Sequence, residues 1–144
     1  LTSDIVLKHD SETMFSFFSS PLNVGLFTPR WVDFRIMEIP DQIESGSYIK
    51  YRIGLWFIAL KWTTKIIRWN PNKLFIDWQA KGPYALWWHE HIILENHDGT
   101  VTMRDRVIYS VPFWILGKLL HKILIKNTLL RIFRFRSQVI GLRF

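Results

Sequence analysis

YALWWHEHIILENHDGTVTMRDRVIYSV, residues 84–111, is the stretch whose reading decides the fold. Two runs rich in aromatic and β-branched residues flank the turn signal HDG, the pattern of a hairpin of antiparallel strands. Successive side chains of a strand point to opposite faces. In the second run Val101, Met103, Asp105, Val107, Tyr109 and Val111 therefore share one face, and Thr102, Arg104, Arg106 and Ser110 the other. The first set is apolar except for Asp105 and Tyr109, so Asp105 is expected to face inward.

The partner of Asp105 depends on the turn. A two-residue Asp98-Gly99 loop pairs Glu90 with Val107 and Ile92 with Asp105, bringing Glu90 to the inner face. One more loop residue, or a bulge, exchanges the faces and brings His89 and His91 to Asp105. The pattern leaves both registers open. Energetics favour the histidines, because an inward carboxylate needs a donor or a positive charge, and a second carboxylate supplies neither unless protonated.

Working outward, four further strand-like runs precede this hairpin: WVDFRIMEI, SYIKYRIGLWF, ALKWTTKIIRW and KLFIDWQAKG. The segments PDQIESGS, NPNK and KGP, with an apolar tip at Gly54–Ala59, separate them as turns. The result is an antiparallel meander with one covered face. Upstream, TSDIVLKH alternates as a short strand, and SETMFSFFSS carries apolar residues at helical spacing, with Ser11 as the expected N-cap. Pro21 begins a second short helix, closed at Thr28-Pro29. Downstream of Pro112 no proline occurs, and Leu116, Leu119, Leu120, Ile123, Leu124 and Leu130 recur at 3–4 spacing, interrupted at Asn127. This predicts a helix of roughly 25 residues or more with that stripe buried. The fold class is α+β: a curved antiparallel sheet wrapping a long C-terminal helix, with two short helices between strands 1 and 2, in a single domain spanning residues 1–144.

At 144 residues the chain can withdraw roughly two-thirds of its unfolded surface from water. It has no cysteine, which excludes disulfide and thiolate chemistry and fits a reducing, cytoplasmic compartment. The longest uncharged run near the C-terminus, Val107 to Gly117, has eleven residues, well short of the roughly 18 that span a membrane. The opening LTSDIVLKHD lacks the pattern of a signal peptide. Residues 1–112 hold twelve basic and twelve acidic side chains, so the net charge of +7 resides wholly in the last 32 residues. Because that segment is an apolar helix and not a flexible basic arm, nucleic acid is not expected as a partner. Aromatics reach 16% with eight tryptophans, a surplus that suits the lining of a cavity.

The element order, with Pro21, Asn23, Thr28, Pro29 and Trp31, then Gly82, Pro83 and Tyr84, then Asp105, Val107, Tyr109 and Pro112, resembles the SRPBCC superfamily. These are START-like, helix-grip ligand-binding domains, and the likeness is to a polyketide cyclase-related bacterial branch. It covers essentially the whole chain and implies a cavity between sheet and final helix. The superfamily hosts carriers, cyclases, hydrolases and binders, so the resemblance does not choose a reaction. Gly54-Leu55-Trp56-Phe57 departs from the Gly-x-Pro hairpin tip that the branch implies.

The expected guest is a hydrophobic or aromatic small molecule or lipid, bound for transport or sequestration. Trp62, Trp78, Tyr84 and Trp88 are read as candidate walls, and Leu116, Leu120 and Ile123 as the helix side. His89, Glu90, His91, Asp105 and Tyr109 supply polar orientation. The alternative is an enzyme of cyclase or dehydratase type, with Asp105, His89, His91 and Tyr109 as candidate catalytic groups. A metal reading of His-x-His with Asp105 or Glu90 lacks a further ligand nearby, so no metal and no cofactor are expected. Past Asn127 the separation of faces fails, and Ile125, Leu129, Ile132, Arg136 and Val139 fall on the side away from the stripe, mixed with cations. Such a ridge would suit an anionic membrane surface or a partner protein, including a second copy of the chain.

Overall fold

The computed structural model describes residues 1–55, 58–112 and 118–144, with the side chains of the last helix described from residue 124 onward. Strand β1 (Thr2–Leu7) leads into helices α1 (Ser11–Ser19) and α2 (Pro21–Val24), the latter continued by one 3₁₀ turn at Gly25–Phe27. Six strands follow: β2 (Val32–Glu38), β3 (Tyr48–Leu55), β4 (Ile58–Asn70), β5 (Leu74–Lys81), β6 (Leu86–Glu95) and β7 (Val101–Ser110). Helix α3 (Lys118–Arg143) ends the chain. The strands form one antiparallel sheet in the order β1-β7-β6-β5-β4-β3-β2, so the meander is as expected and β1 returns to its far edge. Register shifts at Ile36/Glu38, Thr63/Thr64 and Ile66/Arg68 bend the sheet.

The cap of α1 is Asp10, not Ser11. Asp10 is extended, and its two carboxylate oxygens accept from the Thr13 backbone N–H at 2.7 Å and the Thr13 hydroxyl at 2.8 Å. A carboxylate that takes two donors outcompetes a hydroxyl that takes one. Ser11 lies inside the helix and donates to Glu95 Oε1 at 2.6 Å, tying α1 to the end of β6.

The β6–β7 turn decides between the two registers. Glu95 pairs with Val101, and Asn96 N donates to Thr100 O at 2.9 Å, leaving His97, Asp98 and Gly99 as a three-residue loop. Gly99 takes φ +80°, the left-handed conformation that closes such a loop and that side chains with a Cβ avoid. Asp98 Oδ1 accepts from Thr100 N and Oγ1, which holds the longer turn. His89 therefore stands opposite Val107 and His91 opposite Asp105.

Among the described side chains, α3 buries residues outside the expected stripe, and Leu124 of that stripe borders the cavity. Leu129, Phe133, Arg136 and Ile140 are buried, whereas Leu124 is 38% exposed. Leu116, Leu119, Leu120 and Ile123 lie outside the described side chains. Leucine and isoleucine surround the whole helix, so apolar spacing alone does not select a side. Asp105 does, by demanding a cation from the helix above it. The expected membrane-facing ridge consequently turns inward: Leu129 and Arg136 are buried, and Ile125 and Ile132 border the interior cavity.

Beneath α3 the core has two parts. At one end Met14, Phe15, Phe18, Phe27, Phe75 and Met103 pack with Ile140, and at the other Trp87 and Val107 pack with Leu129 and Phe133. A cavity of about 460 Å³ lies between the sheet, the short helices and α3.

Candidate functional site

The cavity takes its walls from strand alternation. Strand β3 contributes Ile49, Tyr51 and Ile53; β4 contributes Leu60, Trp62, Thr64 and Ile66. Phe75 and Asp77 come from β5, and Trp87, His89 and His91 from β6. Ile125, Leu129, Ile132 and Phe133 of α3 close it. Almost all of these groups are apolar, and the polar ones gather at one place.

Of the residues read from sequence as candidates, Trp62, Tyr84, His89 and His91 line this space. Trp62 meets Trp87 edge to face at 5.2 Å and Tyr84 at 5.6 Å, with its indole N–H donating to Thr64 Oγ1. Tyr84 is positioned by Gln79, whose amide donates to the Tyr84 carbonyl at 2.8 Å and accepts from its N–H at 3.2 Å. This clasp needs glycine at 82, because a Cβ there would come within 2.4 Å of Gln79 Oε1. Tyr109 packs beside Tyr84 and Trp87 but does not border the cavity.

Trp78, Trp88 and Glu90 do not line it. Alternation places them on the outer face of the sheet, where Trp78 pairs with Trp88. There Trp88 Nε1 donates to Glu90 Oε1 at 3.0 Å, and Arg106 pairs with Glu90 at 3.1 Å. The three-residue turn that brought the histidines inward sent Trp88 and Glu90 outward. The side chains of Leu116, Leu120 and Ile123, like Trp56 and Phe57 of the β3–β4 tip, lie outside what the structure describes.

The polar end of the cavity is a five-residue cluster. Asp105, 1% exposed, stands behind both histidines: His89 Nε2 is 3.1 Å and His91 Nδ1 2.9 Å from its Oδ1. Arg136 descends from α3, with Nη2 3.1 Å from Oδ1 and Nε 3.0 Å from Oδ2. Its guanidinium is roofed by Phe27 at 4.6 Å and Phe18 at 5.2 Å, a cation–π setting that keeps water off the pair. In front, toward the cavity, Asp77 Oδ2 lies 2.9 Å from His91 Nε2 and 3.6 Å from His89 Nδ1. Phe75 stacks on His91 at 4.0 Å and 12°, fixing its plane.

These contacts set the charges. Burial opposes ionisation of Asp105, but Arg136 and then the two histidine bonds outweigh it and hold its pKa well below the usual carboxylate range. Asp77 is likewise lowered against burial, by His89 and then His91. Burial opposes charging His91 too, yet its bonds to Asp105 and Asp77 prevail and its pKa is raised. In His89 burial wins, reinforced by the neighbouring His91 charge, and its pKa is lowered. Beside two carboxylates and one guanidinium, His91 is thus pushed toward its charged form and His89 toward its neutral form. Neutral His89 that donates Nε2–H to Asp105 keeps its Nδ1 lone pair toward Asp77. Above the cluster, burial and then the charge of Asp77 raise the pKa of Tyr51, so its hydroxyl stays protonated.

Asp77 and Arg136 were not among the site candidates read from sequence, where Arg136 stood only in the outward ridge of the helix. Asp77 alternates with Phe75 and Gln79, so its inward direction could have been read from KLFIDWQAKG once the inner face was known. Arg136 carried no such signal, because the helix face was assigned from the apolar count.

The sequence matches no protein-family profile and no curated protein. The fold matches solved structures along almost the whole chain. The Zhui aromatase/cyclase from Streptomyces sp. R1128 superposes with a TM-score of 0.73 at 8% identity, over 97% of this chain and 89% of that one. A START superfamily protein from Mycobacterium smegmatis gives 0.66 at 12% identity, covering 99% and 97%. Ginseng major latex-like protein 151 from Panax ginseng gives 0.69 at 12% identity, covering 99% and 95%. The chain thus has the helix-grip fold of these structures. Among the described residues no helix is long and apolar enough to cross a membrane.

Proposed function

We propose that this chain is a single-domain binder, acting in the cytoplasm, that encloses a hydrophobic or aromatic small molecule. The observation that carries the reading is the cavity itself: about 460 Å³ bounded by aliphatic and aromatic side chains, with its charged groups confined to one end. That size falls within the roughly 300–1,000 Å³ range of small-molecule sites. Burying roughly 200 Å² of an apolar guest is worth about 5 kcal/mol, before the cost of immobilising it. His89, His91 and Asp77 then orient a polar group at the deep end, while Trp62 and Tyr84 flank the body of the guest.

The test is native mass spectrometry of protein purified from its own host, combined with calorimetric titration of a medium-chain fatty acid and a bicyclic phenol. A co-purifying small molecule, or saturable binding of either probe with a negative heat-capacity change, is the expected result. A protein that carries no guest and binds neither probe overturns the reading.

A second reading is supported by one feature, the opposed shifts of the histidine pair. Environments that push two neighbouring titrating groups apart create an acid and a base at the same pH. His91, pushed toward its charged form, would be the donor and His89, pushed toward its neutral form, the acceptor that enolisation, cyclisation or dehydration of a polyketide-like substrate requires. The aromatase/cyclase name of one structural neighbour makes this class the natural one to assay. Turnover of such a substrate, lost in His89→Gln while affinity persists, would support catalysis over simple binding.

A further inference from the structure

Asp77, His89 and His91 converge three donor atoms on one point of the cavity wall. Asp77 Oδ2 is 2.9 Å from His91 Nε2 and 3.6 Å from His89 Nδ1, and all three atoms lie within 4.8 Å of one another. A cation with bonds of about 2.0–2.2 Å sets tetrahedral donors roughly 3.3–3.6 Å apart. Shifts on the order of half an ångström would therefore admit an ion between them.

The far side of each imidazole is equally suggestive. A metal-bound histidine hands its other ring N–H to a carboxylate, which fixes the ring's orientation and raises its basicity. Here Asp105 stands behind both rings, hydrogen-bonded to His89 Nε2 at 3.1 Å and 2.9 Å from His91 Nδ1, and it accepts from Arg136 Nη2 at 3.1 Å. The donors sit on adjacent, paired strands, Asp77 opposite His89, so the site stands on rigid backbone. His89 Nδ1, too far from Asp77 for a hydrogen bond, has no other partner among the described residues. A purely structural ion-pair cluster gives no reason to leave that lone pair facing the cavity.

We propose that Asp77, His89 and His91 bind a divalent transition-metal ion of the zinc class, with a remaining coordination position open to the cavity. Two imidazoles and a carboxylate suit such an ion better than magnesium or calcium, which favour all-oxygen sites. Arg136 already balances Asp105, so a divalent ion beside Asp77 leaves one positive charge in excess. An anionic oxygen, from water or from a guest, is the ligand that completes the site. The site stands independently of what fills the apolar part of the cavity.

The experiment uses the whole chain, stripped with a chelator and then titrated calorimetrically with zinc chloride, with cobalt(II) chloride as a spectroscopic probe. The expected result is one zinc per chain and intense visible bands of low-coordinate cobalt. His89→Gln, His91→Gln and Asp77→Asn should each weaken zinc binding at least about a hundredfold, and Asp105→Asn roughly 10–100-fold. His9→Gln and His97→Gln, at surface histidines, should leave it unchanged. Circular dichroism establishes that each variant is folded. Because a buried variant can fail to fold, the cobalt spectrum of the unaltered protein is an independent readout. Failure of the unaltered protein to bind zinc overturns the proposal. So does binding that persists in the His89→Gln/His91→Gln double variant, or a cobalt spectrum that remains that of the hydrated ion. None of these outcomes bears on whether the cavity takes an apolar guest.

Discussion

His89 and His91 are two residues apart and 3.8 Å between ring centroids, yet their surroundings push their pKa values in opposite directions. The cause is positional: His91 lies between two carboxylates at 2.9 Å, while His89 has only one within hydrogen-bond range. In chelator-treated protein, imidazole NMR titration should show His91 changing charge above the ordinary value of about 6.5 and His89 below it. The linkage follows. Raised His91 contributes stability that is full below about 6.5 and is lost as pH rises through its folded pKa. Lowered His89 contributes stability present above about 6.5 and lost on acidification, and lowered Asp105 does the same starting from about 3.9. In His89→Gln the alkaline loss stands alone, so denaturant melts from pH 6 to 9 should fall more steeply than those of the parent. Equal slopes would refute the assignment. Asp105→Asn should cost about 3–5 kcal/mol by stranding Arg136 in a dry site, and Arg136→Met in the same chain should restore part of that loss. Denaturant melts of the single and double variants measure the coupling. At this scale the sequence disclosed what alternation could reach, His89, His91 and inward Asp105. It did not disclose Arg136, because a cation on a basic helix reads as solvated until its carboxylate partner is located.

The β6–β7 turn shows why register was the weak point of the sequence reading. Both available loops use Asp98-Gly99, and they differ by one residue while exchanging every side chain between faces. What selects the longer loop is distributed: the Asp98 bonds to Thr100, the left-handed Gly99, and the requirement of Asp105 for histidine partners. Gly99→Ala should destabilise the chain by about 1–2 kcal/mol through the cost of the left-handed conformation, measurable by urea denaturation. Deleting His97 tests this, since Asn96 and Thr100 would then flank a two-residue Asp98-Gly99 turn while His91 stays opposite Asp105. The expected product keeps a cooperative thermal transition, and loss of that transition would show that the three-residue turn itself is needed to hold the register. Helix α3 teaches the converse lesson. Its length and place were plain from the unbroken run after Pro112, but its rotation was not, because apolar residues ring it on every side and only Arg136 discriminates.

At the scale of the whole molecule, the order of strands and helices was readable because each run carries its own period and turn signals, and none of that depends on distant contacts. The hollow itself was not readable in that way. A void is what remains when the volumes of many walls fail to meet, and the sequence offered only an indirect sign of it, a surplus of large rings. Some of those rings turn out to serve elsewhere: Trp69 packs on Phe15 and Phe75 in the core, Trp31 carries Arg131 over its face at 5.1 Å, and Trp78 and Trp88 pair outside. Trp62 and Trp87 remain on the wall. An empty apolar cavity forfeits dispersion contacts on its lining, so a side chain grown into it should stabilise the free protein while competing with any guest. Ile132 faces the space from α3 and Leu60 faces it from β4. Ile132→Trp or Leu60→Trp should therefore raise the melting temperature of the empty protein by roughly 2–5 °C, the equivalent of about 1 kcal/mol. Affinity for an apolar probe should fall at least tenfold. The two readouts must move in opposite directions for the cavity to be a binding site, since a fault in packing would be repaired by the larger side chain with no function to lose.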